Sequence, residues 1–318
     1  MAADTLLTAV RAHLQLQPDH TVILEPIKRG ASGRTIVRLK AEGHPPFIGI
    51  HYTLERKDNR FFLPVAHFLR KNHLNVPEVL YDNPGRNIAL VEDLGEKDLL
   101  SLADQPWEER EPYYRSALEQ LDRLFYIRLP RDLELSPPFG PETYAWEQDY
   151  FIDNLVEKHL GLAGADLRNH GELSRLSNNL GASHRNLIHR DFQSQNLIVH
   201  DGKTWIIDFQ GLRLGRQEYD LASLIYDPYL DHSEEDQNRL LDLWEEISEE
   251  RPIPELLRDC AIQRLMQALG AYAHILHEQR LEWYAQYISV GAKLLLTQVE
   301  NTPLEEPLRP ILESAMEK

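Results

Sequence analysis

A single cysteine, Cys260, stands among 318 residues, so no disulfide can form within the chain and a reducing compartment is expected. It falls in the periodic apolar run CAIQRLMQALGAYAHIL, where a buried structural thiol is expected rather than a nucleophile. Basic residues are scarce as well: 34 Lys and Arg face 51 Asp and Glu, a net charge of −17. That balance argues against nucleic acid or an anionic membrane surface as a partner, and its plain consequence is solubility. Long hydrophobic runs are also missing, and no stretch approaches the ~20 apolar residues of a membrane helix. The first residues, MAADTLLTAVRAHLQ, carry Asp4 near their start and read as an amphipathic helix, not a signal peptide. A cytoplasmic location follows as the expectation. There are no internal repeats or low-complexity tracts, and the proline-rich SPPFGP at 136–141 reads as a loop.

What is present divides into two patterns. Five β-type runs come first: TVILEPI (21–27), TIVRLK (35–40), FIGIHY (47–52), VPEVLYD (76–82) and NIALVEDL (87–94). The turn-rich RGASG, AEGHPP and NPGR separate them. Between the third and fourth runs, Phe62, Val65, Ala66 and Leu69 recur at helical spacing, with Pro64 confining the helix start or kinking it. From about residue 96 the apolar period becomes three to four, predicting long helices over 106–125, 144–160, 234–248 and within 253–300. NLIH and LIVHDGKTWIID break that pattern with β-branched residues and an Asp201-Gly202 turn, and together they predict a small sheet within the helical part. The fold class expected is therefore α+β and bilobal. A small five-stranded antiparallel lobe over 1–94, ending in a connection at 91–95, precedes a larger, mostly helical lobe over 95–318.

HRDFQSQN, residues 189–196, is the loop this small sheet would carry. Asp191 and Asn196 lie five positions apart, and Asp208 ends the following strand. Such a loop can aim one carboxylate at a substrate hydroxyl while an amide oxygen and a second carboxylate face a metal, the parts that phosphoryl transfer from ATP with Mg²⁺ requires. Each residue alone has a plainer reading, because turns are rich in Asp and Asn. The joint pattern H-R-D-x-x-x-x-N, then an apolar strand ending in Asp-Phe, is that of a kinase catalytic and metal-binding segment.

With IIDFQ, YDLASL and LVEDLG added, the chain resembles the aminoglycoside phosphotransferase family over nearly its whole length. These are relatives of protein kinases that phosphorylate small molecules. The resemblance implies a bilobal kinase fold, with Asp191 as catalytic base and Asn196 and Asp208 as metal ligands. It also implies that the backbone from Glu92 to Leu94 holds the adenine edge. His189 is expected to shape the loop, Asp220 to cap a helix or tether the loop, and Phe192 and Phe209 to pack.

RGASGRT lies where kinases close a hairpin over the nucleotide. Gly30 and Gly33 would bring backbone N–H groups to the phosphates, with Ser32 and Arg34 as side-chain donors. A hairpin turn can carry such glycines with no ligand at all. The third strand departs from the kinase pattern, because FIGIHY has no lysine where V-A-I-K would place one. The following helix lacks the partner glutamate too. Losing both avoids a lone buried charge; Arg34, Arg56 and Lys57 are the candidate substitutes, the last two also fitting a solvated turn, LERKDN.

The acceptor is read from YAWEQDYF, where Trp146 and Tyr150 fall one helical turn apart beside Glu147. Aromatic faces and a carboxylate suit a sugar and its hydroxyls, although an aromatic stripe is also ordinary helix core. Within the family, IGIHYT, WEQDYF and DFQGLRLG look most like the bacterial kinases that phosphorylate the anomeric hydroxyl of N-acetylmuramate or N-acetylglucosamine in cell-wall recycling. A muramate carboxylate would need a cation, and Arg213 is the candidate, against an ordinary surface arginine. Two other readings stand beside this one. A kinase of polycationic aminoglycosides suits the acidic charge, and a nucleotide-binding pseudokinase suits the missing lysine. The partner expected is a small-molecule sugar, and a monomer is the expected state.

Overall fold

A computed structural model describes residues 2–17, 19–27, 34–182 and 185–318. Helix α1 (Ala2–His13) leads into β1 (Val22–Pro26), β2 (Thr35–Ala41) and β3 (Phe47–His51); α2 (Phe62–Lys71), β4 (Val79–Asn83) and β5 (Ile88–Glu92) follow. The five strands form one antiparallel sheet in the order β1-β2-β3-β5-β4, the five-stranded antiparallel sheet expected of these runs. Pro64 is accommodated as the third residue of α2, in the first turn where an amide hydrogen has no helical partner. Leu6, Ala9 and Val10 of α1 pack on Val37, Leu39, Phe47, Ile88 and Leu90 of the sheet. Each large side chain sealed there contributes about 1.5–3 kcal/mol. Gly49 permits that approach: a Cβ at this position would lie 2.6 Å from Leu39 Cδ1 and 3.2 Å from Leu6 Cδ2.

Helices then dominate: α3 (Trp107–Tyr126), α4 (Pro141–Phe151) continued by a π-helical segment Ile152–Leu160, α5 (Ala165–Arg168) and α6 (Gly171–Ala182). Four short strands interrupt them, β6 (Asn186–Ile188), β7 (Leu197–His200), β8 (Lys203–Ile206) and β9 (Arg213–Gly215). Helices α7 (Gln217–Ile225), α8 (Glu234–Ser248), α9 (Pro254–Glu278), α10 (Ala285–Val299) and α11 (Glu305–Glu317) complete the chain. Cys260 is fully buried in α9, and burial pushes its thiol well above the ordinary range, as befits a structural thiol. No helix among the described residues is long and apolar enough to cross a membrane.

The expected single small sheet is instead two ladders. β7 and β8 form a hairpin through Asp201 and Gly202, both at positive φ (48° and 72°), the backbone that a two-residue turn demands. β6 pairs not with that hairpin but with β9, in the register Asn186↔Gly215, Leu187↔Leu214, Ile188↔Arg213. Gly215 makes room for its neighbour, since a Cβ there would sit 2.3 Å from Ile188 Cδ1. The chain separates into two compact units: Met1–Lys97 with Arg128–Ser136 and Ile198–Leu212, and Asp98–Ile127 with Pro137–Leu197 and Arg213–Lys318.

Candidate active site

In the second unit the loop after β6 is held by carboxylates buried in the helical layer. Asp220 of α7 is fully buried and accepts hydrogen bonds from the amides of His189 at 2.5 Å and Arg190 at 2.7 Å. This is the tether expected of it, and not a helix cap. Arg190 adopts φ +82°, a conformation costly for a side-chain-bearing residue, and Asp220 holds its amide and that of His189 before it. Asp227 pins the far end, accepting from Ser194 N at 2.7 Å and Tyr229 N at 2.9 Å. Burial raises both carboxyls, Asp220 to about 7, against the opposing pull of the amides they accept from.

Between these pins Asp191 is a quarter exposed. Its Oδ2 lies 3.4 Å from Arg190 Nε and its Oδ1 3.4 Å from Arg264 Nη2. Asn196 Nδ2 donates to the Asp191 carbonyl at 2.8 Å, so Oδ1 is the atom that would meet a cation. His189 is buried with its ring edge-on to Phe192 at 6.0 Å, which fits a residue that shapes the loop.

The first unit carries the other candidates. Asp208 has φ +62°, and its carboxylate is paired with Arg34. Gln210 closes the triangle, accepting from Arg34 Nη1 at 3.0 Å and donating to Asp208 Oδ1 at 3.0 Å. Phe209 stacks on Phe62 with centroids 5.5 Å apart, a packing role as expected. Gly30, Ser32 and Gly33 lie outside the described residues. Where V-A-I-K would set its lysine, β3 ends on His51, opposite Thr35. After β5, Arg38 of β2 grips the chain: Nε and Nη2 donate to Asp93 at 2.5 and 3.1 Å, and Nη1 pairs with Glu96. Glu92 N donates to Glu78 O at 2.9 Å, and Leu94 is buried.

Of the acceptor candidates, α4 keeps Trp146 and Tyr150 together. Trp146 is 58 % exposed and stacks on Tyr150 at 5.2 Å. Glu147 faces inward, 2 % exposed, with Tyr219 Oη donating to its two oxygens at 3.0 and 3.2 Å and Gln263 Nε2 to one at 3.1 Å. Burial raises its carboxyl to about 7. Arg213 is also buried, its guanidinium 5.1 Å from the Phe139 ring centroid. Asp227 and Arg264 were not anticipated. Their signal is a charged group inside an otherwise apolar segment, LASLIYD and AIQRLMQ.

Among the described residues no three or more carboxylates, imidazoles or thiols gather into a ready-made metal cage. Asn196 in the second unit offers an amide oxygen and Asp208 in the first a carboxylate, each a donor type that the hard Mg²⁺ ion accepts.

Comparison with known proteins bears on the family and the fold. N-acetylmuramate/N-acetylglucosamine kinases from Neisseria meningitidis serogroup B and Pseudomonas putida are 26 % and 25 % identical to this chain, over 70 % and 77 % of it and 71 % of each relative. Among solved structures, a choline/ethanolamine kinase family protein from Mesorhizobium loti matches with TM-score 0.64 at 14 % identity, covering 100 % of both chains. An ADP-bound aminoglycoside phosphotransferase, APH(2'')-Ib, matches with TM-score 0.59 at 16 % identity over 92 % of this chain and 98 % of that one. The model of the phosphotransferase enzyme family matches residues 23–256, most of the chain, and the chain belongs to that family.

Proposed function

We propose that this chain is an ATP-dependent sugar kinase that phosphorylates the anomeric hydroxyl of N-acetylmuramate or N-acetylglucosamine, giving the sugar 1-phosphate and ADP. The observation that carries the reading is the loop in which Asp191 sits between amides pinned by Asp220 and Asp227 and Asn196 donates to the Asp191 carbonyl. The relatives named above supply the substrate class.

In this reading Asp191 accepts a hydrogen bond from the sugar O1–H and orients it toward the γ-phosphorus. The O1–P bond forms as the bond from phosphorus to the β,γ-bridging oxygen breaks, ADP leaves with that electron pair, and the O1 proton passes late to the Asp191 carboxylate. An anomeric hydroxyl is more acidic than an ordinary alcohol, so a carboxylate is a sufficient base. Asn196 Oδ1 and Asp208 are the proposed Mg²⁺ ligands; the ion, when bound with ATP, neutralises charge on the phosphate oxygens. Arg34 is the proposed substitute for the absent strand lysine, exchanging its Asp208 partner for phosphate oxygens, with Gly30, Ser32 and Gly33 alongside. The backbone of Glu92 to Leu94, steadied by Arg38 through Asp93, is the proposed adenine contact.

For the sugar, Trp146 and Tyr150 are the proposed stacking face, and Glu147 supports α4 from within through Tyr219 and Gln263. Arg213 is the proposed partner of a muramate carboxylate. A second reading, phosphorylation of an aminoglycoside, is favoured by the net charge of −17, which attracts polycations. ADP release with ATP and Mg²⁺ across a panel of N-acetylhexosamines and aminoglycosides separates the two. Turnover with kanamycin-type acceptors and none with either N-acetyl sugar discards the amino-sugar reading. ATP binding without transfer to any acceptor selects a pseudokinase instead.

A further inference from the structure

The middle of α9 carries a charge that the reaction as described does not use. Arg264 is 6 % exposed, in a stretch where Ala261, Ile262, Leu265, Met266, Ala268 and Leu269 are all buried. Burying a guanidinium is costly unless its donors and its charge are both answered. Neutral oxygens answer much of its donor capacity: Nε donates to Ser223 Oγ at 3.0 Å, Nη2 to Gln193 Oε1 at 2.9 Å, and Nη1 to Gln267 Oε1. The carboxylate within ion-pair distance is that of Asp191, 3.4 Å from the same Nη2. Glu147 and Asp227, both fully buried nearby, would be the natural counter-ions of an arginine kept for packing, yet the guanidinium instead reaches the catalytic loop.

We propose that Arg264 is the positioning residue of Asp191: one buried NH₂ group spans Gln193 and Asp191 and fixes the carboxylate's orientation toward the acceptor hydroxyl. The two oxygens of Asp191 then face two guanidinium groups, Oδ1 that of Arg264 and Oδ2 that of Arg190. Other groups also face this set. Asp220 and Tyr219 of α7 act on Asp191, Asp220 opposing a further negative charge, while Glu147 of α4 draws on Arg190 and Arg264. Arg264 itself stays protonated, because the Asp191, Tyr219, Tyr272 and Glu147 charges outweigh its desolvation.

The inference rests on Asp191 being the reacting carboxylate. With the acceptor that wild type turns over, Arg264→Gln, which removes the charge and keeps hydrogen-bonding capacity, lowers kcat by about 10- to 100-fold while KM for ATP changes less than about threefold. Arg264→Lys, which keeps the charge, holds kcat within about threefold of wild type. Equal kcat in wild type and Arg264→Gln overturns the proposal, as does a fall of more than about tenfold in Arg264→Lys, which remains decisive where the Gln variant does not fold. Asp191→Asn separates the two claims: undiminished turnover there rejects the kinase assignment of Asp191, whatever the Arg264 variants show.

Discussion

Replacing Glu147 by Gln tests the buried polar layer behind the catalytic loop. The carboxyl titrates near 4.5 in an unfolded chain and at about 7 in the fold, chiefly because burial disfavours its charge, against the pull of Gln263, Arg190 and Tyr219. A carboxyl raised in this way contributes stability that is present below its unfolded pKa and lost as pH rises through its folded one. The interval from 4.5 to about 7 amounts to roughly 3 kcal/mol at about 1.4 kcal/mol per pH unit. Between pH 5 and pH 8 the share lost is about 2.5 kcal/mol, because at pH 5 the unfolded carboxyl is already largely ionised. Gln is isosteric and cannot ionise, so the variant escapes this loss. It meets a smaller, pH-independent penalty of about 1 kcal/mol where its NH₂ faces the Gln263 Nε2 that Glu147 accepts from. Urea unfolding of both proteins at pH 5, 6, 7 and 8 measures the difference directly. At pH 5 wild type has already lost about 0.8 kcal/mol and the two are of about equal stability, and the variant gains on wild type by about 2.5 kcal/mol by pH 8, most of the change falling between pH 5 and 7. Parallel stability curves over that range would refute the assignment of a raised, buried carboxyl to Glu147.

Other perturbations address the remaining parts. Asp220→Asn leaves one acceptor oxygen for the two amides of His189 and Arg190, so the loop loses a charge-assisted bond. Stability falls by about 1–3 kcal/mol in urea melts, and kcat falls at least tenfold as Arg190 relaxes from positive φ. Arg38→Met strands the buried Asp93 carboxylate, 4 % exposed, and costs about 3–5 kcal/mol by the same measurement, a loss that Arg38→Met with Asp93→Leu recovers in part. Trp146→Ala raises KM for the sugar about 5- to 10-fold through lost stacking and leaves unfolding within about 0.5 kcal/mol of wild type, since the side chain is 58 % exposed.

The N-terminal sheet was legible because its strands are short runs rich in β-branched and other apolar residues, with turn-rich segments or a helix between them. The partner of β6 was not, for Arg213–Gly215 is three residues long, begins with an arginine and ends on a glycine chosen for close packing against Ile188. Helix α11 was hidden by Pro307 and Pro310, although Leu308, Leu312 and Ala315 keep a helical period. The HRDFQSQN loop stood out because its residue types and spacing match those that phosphoryl-transfer chemistry asks of a kinase segment. Its supports did not, because Asp220 of α7, Asp227 just after it and Arg264 of α9 are distant in sequence and their partners are backbone amides or a side chain over seventy positions away. Glu147 was expected beside Trp146 on a sugar-binding face. Adjacent residues on a helix diverge by about 100°, and the glutamate points into the core while the tryptophan points out.

Transfer of phosphate from ATP to N-acetylglucosamine or N-acetylmuramate is the most direct test of the account, followed by phosphorus NMR of the products with wild type and Asp191→Asn. The expected result is ADP and an anomeric sugar phosphate in equal amounts, with a rate reduced about 10²- to 10⁴-fold in the Asn variant. ADP at the level of background hydrolysis with no phosphorylated sugar, or equal transfer by both proteins, would contradict it.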